Sequence, residues 1–99
     1  VDMKIVVISL RSDDHAPEEF EPYLAAEAKT VLGFMADDFV RELYSIPEGR
    51  GAVAIVEAAS EAEAREKFAT LPLAKAGLLN IEFYPVTAFR AIKPLADSL

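Results

Sequence analysis

Four short apolar runs alternate with two stretches of helical spacing along the chain. Residues 3–11, MKIVVISLR, are dense in β-branched side chains and predict a strand. Residues 12–19, SDDHAPEE, are polar, carry a proline and predict a loop running into a helix. From near Pro17 or Glu18 to about Met35 the apolar positions recur at helical spacing. Pro22 fits such a helix only in its first turn, which would move the start toward Glu21. FVRELYSI, residues 39–46, predicts a second strand and AVAIVEA, residues 52–58, a third. Between them PEGRG, residues 47–51, is a turn with a proline and two glycines, so the pair reads as a hairpin. Ser60 followed three residues later by Glu63 is a capping-box pattern that opens a second helix, SEAEAREKFAT, ending before Leu71 and Pro72. Residues 71–77, LPLAKAG, read as a connection and 78–86, LLNIEFYPV, as a fourth strand. Pro85 places the end of that strand at a sheet edge or past its ladder. The tail, TAFRAIKPLADSL, is mixed in character and suited to packing on a neighbour.

The order βαββαβ predicts an α+β fold: a ferredoxin-like, four-stranded antiparallel sheet with two helices on one face. A sheet with one wet face alternates apolar and polar residues. In the first strand, Met3, Ile5, Val7 and Ser9 form one set and Lys4, Val6, Ile8 and Leu10 the other, and both are mostly apolar. The third strand is similar, with Val53, Ile55 and Glu57 against Ala52, Ala54 and Val56. Two short helices cover one face only. The other is expected to be covered by a second copy of the chain, two sheets enclosing a barrel-like core in a homodimer or higher homo-oligomer. The alternative is that the tail folds across the open face. Met3-Lys4 has the look of a translation start, so Val1 and Asp2 are expected to be added residues and the single domain to run over 3–99.

The chain has 99 residues, 53% of them hydrophobic, enough for one domain with a core. Ten basic against 17 acidic residues give a net charge of −7, which repels phosphate backbones and anionic lipid heads. Nucleic acid and membrane are therefore not expected as partners, and a small-molecule ligand is. Without cysteine there is no thiol nucleophile, disulfide or thiolate metal site, and one histidine, His15, rules out a two-histidine zinc site. No apolar run reaches the ~18 residues of a membrane span and the N-terminus lacks a signal-peptide layout, so a cytoplasmic protein is expected.

Glu27 is the most informative candidate. With Phe20 at zero and about 100° per residue, Leu24, Val31, Phe34 and Met35 fall near 40°, 20°, 320° and 60°, and Glu27 near 340°, inside the apolar stripe. A carboxylate there either lines a wet cavity, where burial raises its pKa and suits it to proton transfer, or sits at the stripe edge beside water or an arginine. Arg41 and Tyr44 lie on opposite faces of an ideal second strand, so only a bulge or the strand end brings them to one site. Arg41 could hold an anion in its bidentate fork, and Tyr44 could donate a hydrogen bond; the alternative is a surface ion pair and a packing ring. His15 is the lone histidine, a residue type suited to general base work, but lies in an acidic loop, as a base or as a surface histidine. Arg11, at the end of the first strand, is a cavity-mouth cation or a solvated strand end. Asp37-Asp38 reads as a helix-end loop with no third metal ligand at suitable spacing. The glycines of EGRG precede no helix and so form no phosphate cradle, and no motif places a histidine beside Ser12, Ser45 or Ser60.

Three stretches carry a resemblance: LAAEAKTV in the first helix, FVRELYSIPEGRGAVAIVEAASEAEAREKFATLPL, and AGLLNIEFYPV. They resemble the muconolactone isomerase-like and YCII-related small proteins of the dimeric α+β barrel superfamily, over most of residues 3–90. The V-R-E-L-Y segment before a glycine-containing hairpin is the most specific part, with the E-A-x-S-x-x-E-A run that leads through L-P-L to a final strand. The resemblance implies a ferredoxin-like protomer, sheet-to-sheet dimerisation, a cavity between sheet and helices, and chemistry without metal or cofactor. Muconolactone isomerases shift a proton and a double bond within a lactone. Glu27 and Arg41 fall where related sequences often carry Glu and Arg, whereas Glu42 stands about where the isomerases tend to have histidine. The superfamily also holds cofactor-independent monooxygenases and haem-handling proteins; here a haem ligand would have to be His15, and none is expected.

The first expectation is thus a cofactor-free isomerase or lyase for a small acidic or lactone-type molecule. Glu27 would shuttle the proton, Arg41 would stabilise an anion or enolate, and Tyr44 or His15 would be an auxiliary donor. The second is a non-catalytic small-ligand-binding or accessory protein using the same cavity. The third is a cofactor-free monooxygenase of aromatic polyketide-like compounds.

Overall fold

Alternation of β-branched residues without a breaker carries the chain straight through Met3–Arg11 as β1. The structure, a computed structural model, describes residues 2–90, 95, 97 and 98. Val1, and residues 91–94, 96 and 99 of the tail, lie outside them, so the readings made of those positions do too.

The first helical stretch is broken where one helix is expected. Helix α1 covers Pro17–Phe20, a 3-10 turn covers Glu21–Tyr23, and α2 covers Leu24–Ala36. Pro22 is the cause: it has no N–H to give to a carbonyl four residues back, and its ring crowds that turn. Asp37 caps α2, and Asp38 turns the chain at φ 62° into β2, Val40–Ile46. A 3-10 turn at Pro47–Gly49 leads to β3, Gly51–Ala58. Gly51 holds φ +148°, and a Cβ there would meet the Ser9 carbonyl oxygen at 2.0 Å, so glycine is required. Helix α3 spans Glu61–Phe68; Ser60 caps it by accepting the Glu63 N–H at 3.1 Å, while the Glu63 carboxylate takes the Ala59 N–H at 3.0 Å. The expected connection over 71–77 contains a further short helix, α4, Pro72–Lys75, with proline in its first turn where the missing N–H is harmless. β4 runs Leu79–Val86.

The sheet is antiparallel with order β2-β3-β1-β4, the arrangement of a ferredoxin-like βαββαβ chain. β4 is an edge strand, and Pro85 stands in its ladder opposite Ile5. Ile5, Val7, Ala54, Val56 and Ala58 turn to the helices and are buried. Against them Phe34, Phe39, Phe68 and Phe83 form a ring cluster with centroids 5.2–6.0 Å apart. Lys67 and Arg65 lay their charges over Phe39 and Phe83 at 4.4 and 4.6 Å, keeping the α3 edge of that cluster from water.

The opposite face is ordered by the same register. One row reads Tyr44–Val53–Ile8–Glu82 and the next Glu42–Ile55–Val6–Tyr84. The central strands are apolar there and the outer strands polar, so the alternation missing from β1 and β3 is supplied by β2 and β4. Val6, Ile8, Val53 and Ile55 of this face are half-buried, and in the described part of the tail Phe89 and Leu95 are 70% and 66% exposed. No described helix is long and apolar enough to cross a membrane.

Candidate functional site

The helix-facing side of the sheet is filled at one end and hollow at the other, and the register says why. From the row Val40–Val56–Ile5–Pro85 and the row Leu43–Ala54–Val7–Phe83, the side chains of Val40, Val56, Ile5, Val7 and Phe83 belong to the core with the ring cluster. The next row, Ser45–Ala52–Ser9–Ile81, has three small residues in succession. With Gly49 and Gly51 of the hairpin beside it, that row leaves a cavity of about 440 Å³ between sheet and helices. Phe34, Phe68, Leu71 and Leu79 close its apolar end, and Ser9, Ser45, Arg11 and Glu27 are among its polar lining.

Glu27 enters from α2 and is half-buried. Its Oε1 accepts the backbone N–H of Leu73 at 3.0 Å. That N–H belongs to the first turn of α4, where no carbonyl of the helix itself can receive it. Burial pushes the Glu27 carboxyl above the usual range; the Leu73 N–H and the positive charge of Arg11 pull the other way and do not win. A carboxyl so placed is easier to protonate than one in water and can both take and return a proton.

Arg11 is the cation of this cavity. It follows Ile5, Val7 and Ser9 in the inward phase of β1, is half-buried, and stacks its guanidinium 5.0 Å from the ring centre of Phe20. Arg11 also borders a second, more open hollow of about 700 Å³, walled by Ser12, His15, Arg50 and Asn80. Ile46, Glu48 and Gly49 border both spaces, as Arg11 does, so the two lie side by side at this end of the sheet.

The other expected residues do not join Glu27 within one chain. Val40 pairs with Val56 and Glu42 with Ile55, so Arg41 is an extra residue in β2, a β-bulge. The bulge undoes the ideal alternation and puts Arg41 with Tyr44 on the open face. Arg41 lies 3.7 Å from Asp38 and 3.9 Å from Glu57. The Tyr44 hydroxyl donates to Glu42 at 2.6 Å, and that bond, with the carboxylate's charge, raises the phenol pKa. Glu42 and Tyr44 recur as Glu82 and Tyr84 on the far edge, with the same hydroxyl-to-carboxylate bond and the same upward shift. Arg11, not Arg41, thus lines the cavity with Glu27, and Tyr44 is separated from Glu27 by the sheet. His15 lies in the outer hollow, its Nδ1 3.2 Å from Glu19, whose own carboxyl is held below the usual range by the Ala16 N–H and then by His15. Asp37 and Asp38 end α2 as a loop, and among the described residues no three His, Asp or Glu side chains gather as a metal site.

Sequence reading missed Ser9 and Ser45 as cavity-forming positions. Their signal was present: Ser9 shares the phase of Ile5 and Val7, so a small polar residue stands where a core residue belongs. In comparisons with known proteins, no family model matches the chain and no curated protein matches it.

Proposed function

We propose that this chain is a muconolactone isomerase-like protein that moves a proton on a small acidic or lactone-type molecule without a cofactor, as an isomerase or lyase. The observation that carries the reading is Glu27: a half-buried carboxylate with a raised pKa, lining a largely apolar cavity and held in place by one backbone N–H. Glu27 would take a proton from a carbon next to a carbonyl and return it elsewhere on the same molecule, so that no oxidant or reductant is consumed. Ser9 and Ser45 supply hydroxyls in the same space, and Arg11 a positive charge for the electron-rich intermediate.

The working form in this reading is a homodimer or higher homo-oligomer joined sheet to sheet. Val6, Ile8, Val53 and Ile55 form an apolar centre on the open face, between two Glu–Tyr edges, the layout of an interface with a polar rim. The second reading is a binding protein that uses the same cavity without turnover. The Leu73 N–H favours it, because a carboxylate that ties two helices together has a structural task already.

Proton exchange separates the two. Muconolactone, and other small unsaturated lactones and acids, would be incubated with the protein in deuterated water and followed by proton NMR. Deuterium entering carbon positions with the wild type, and not with Glu27→Gln, supports proton transfer. Equal exchange with both proteins, or exchange with neither across such a set, would leave the binding reading in its place.

A further inference from the structure

The five arginines of the described residues differ in one respect. Arg41, Arg50, Arg65 and Arg90 are exposed, and Arg11 alone is half-buried. Arg41 and Arg65 have carboxylates within 4 Å, and Arg50 donates to the Pro47 carbonyl at 3.2 Å. Arg11 stacks on Phe20 and, among the described residues, has no carboxylate within ion-pair distance, in a chain with 17 acidic residues. A partly desolvated guanidinium with no carboxylate in ion-pair contact, its charge felt by Glu27 only at a distance, has unused donors in a fixed planar fork. We propose that Arg11 is the anchor for the carboxylate of an amphipathic organic acid, whose apolar body lies in the inner cavity toward Phe34 and Phe68.

The orientation follows from where polarity lies. Arg11 stands where the inner cavity meets the outer hollow, so an acid bound to it keeps its head near water. The other end of the cavity offers only ring edges and aliphatic side chains, which suit an aryl group or a short alkyl chain. Among the described residues, the two other charged members of the inner lining are Glu27 and Glu48, both acidic. Among the described residues Arg11 is therefore the one cationic side chain there, which sets a discrimination: an amine would go to the carboxylates and an acid to Arg11. The assignment rests on the inner cavity being the ligand site of the proposed function, but it does not require Glu27 to transfer a proton.

Phenylacetate, phenylacetamide and phenethylamine share one ring and differ in the head. Each would be titrated into the isotopically labelled protein and followed by backbone amide shifts around Ser9, Ala52 and Leu73. Phenylacetate is expected to bind saturably and about 10-fold or more tighter than the amide, because only the carboxylate forms an ion pair with Arg11. Arg11→Gln should abolish that preference and leave the amide's affinity unchanged. If Arg11→Gln does not fold, Arg11→Lys takes its place; it keeps the charge and loses the fork, and should weaken the acid several-fold with the amide unaffected. Preference for the amine, equal affinity of the wild type for acid and amide, or a folded Arg11 variant whose affinity for the acid is unchanged would each overturn the assignment. Glu27→Gln should still prefer the acid. Acid binding without proton exchange would therefore remove the catalytic reading alone, and exchange on a lactone without acid preference would remove the anchor alone.

Discussion

The carboxylate of Glu27 on α2 and the backbone N–H of Leu73 on α4 meet at 3.0 Å across 46 positions of sequence. One hydrogen bond thereby joins two helices beside the cavity, at a residue that also lines it. Structure and chemistry at this residue can be separated, because the bond needs an acceptor oxygen and proton transfer needs an ionisable one.

Glu27→Gln keeps an oxygen for Leu73 and should fold with a stability equal to or above that of the wild type near neutrality, since burial disfavours the charge it removes. Glu27→Ala leaves the Leu73 N–H without its partner and should lose about 1–3 kcal/mol. Urea midpoints of the three proteins at one pH decide this, and equal losses in both variants would contradict it.

Stability should also depend on pH through this group with a definite sign. The Glu27 pKa is higher in the folded than in the unfolded chain, so the folded state binds more protons between the two values. Its contribution is complete below the ordinary glutamate range and is lost as the pH rises through the raised value. Wild type minus Glu27→Gln should therefore fall across that window and be flat above it. A difference that rises with pH there would show the charged form to be favoured.

Gly51→Ala should be among the most damaging single-methyl changes in the chain. The new Cβ would sit 2.0 Å from the Ser9 carbonyl oxygen at φ +148°, and backbone on both sides would have to move. A loss of more than about 2 kcal/mol is expected, with part of the β1–β3 ladder given up. Gly33→Ala is the control: no atom lies within 4 Å of its added Cβ and it is mid-helix, so it should gain a few tenths to about 1 kcal/mol.

The open face gives a test of assembly. Ile55→Lys puts a charge at the centre of the apolar patch without touching the helix side. If two sheets meet there, sedimentation at rising concentration should show a dimer for the wild type and a monomer for the variant, with unchanged far-ultraviolet circular dichroism. A wild type that stays monomeric at the highest concentration would remove the shared-barrel form.

Strand and helix identities could be read from the chain because they depend on local period: β-branched alternation for β1 and β3, a helical stripe for α2, Ser60 with Glu63 at the start of α3. The same stripe placed Glu27 either in a wet cavity or at the stripe edge and left the choice open. On the two outer strands, Glu42-Leu43-Tyr44 and Glu82-Phe83-Tyr84 each have the middle residue turned inward.

Pairing decided what local period could not. Arg41 shares the inward phase of Leu43 in any strand drawn alone, and only the ladder with β3, where one residue is extra, sends it to the other face. The hollow beside Glu27 is a property of the row Ser45–Ala52–Ser9, three positions far apart in the chain that become neighbours when β2, β3 and β1 align. The same holds for Leu73, whose N–H reaches Glu27 only once α4 packs over α2. Side-chain period is set by bonds within a few residues, but cavities and ion pairs are set by which distant residues the register brings opposite each other, and register is a property of the assembled sheet.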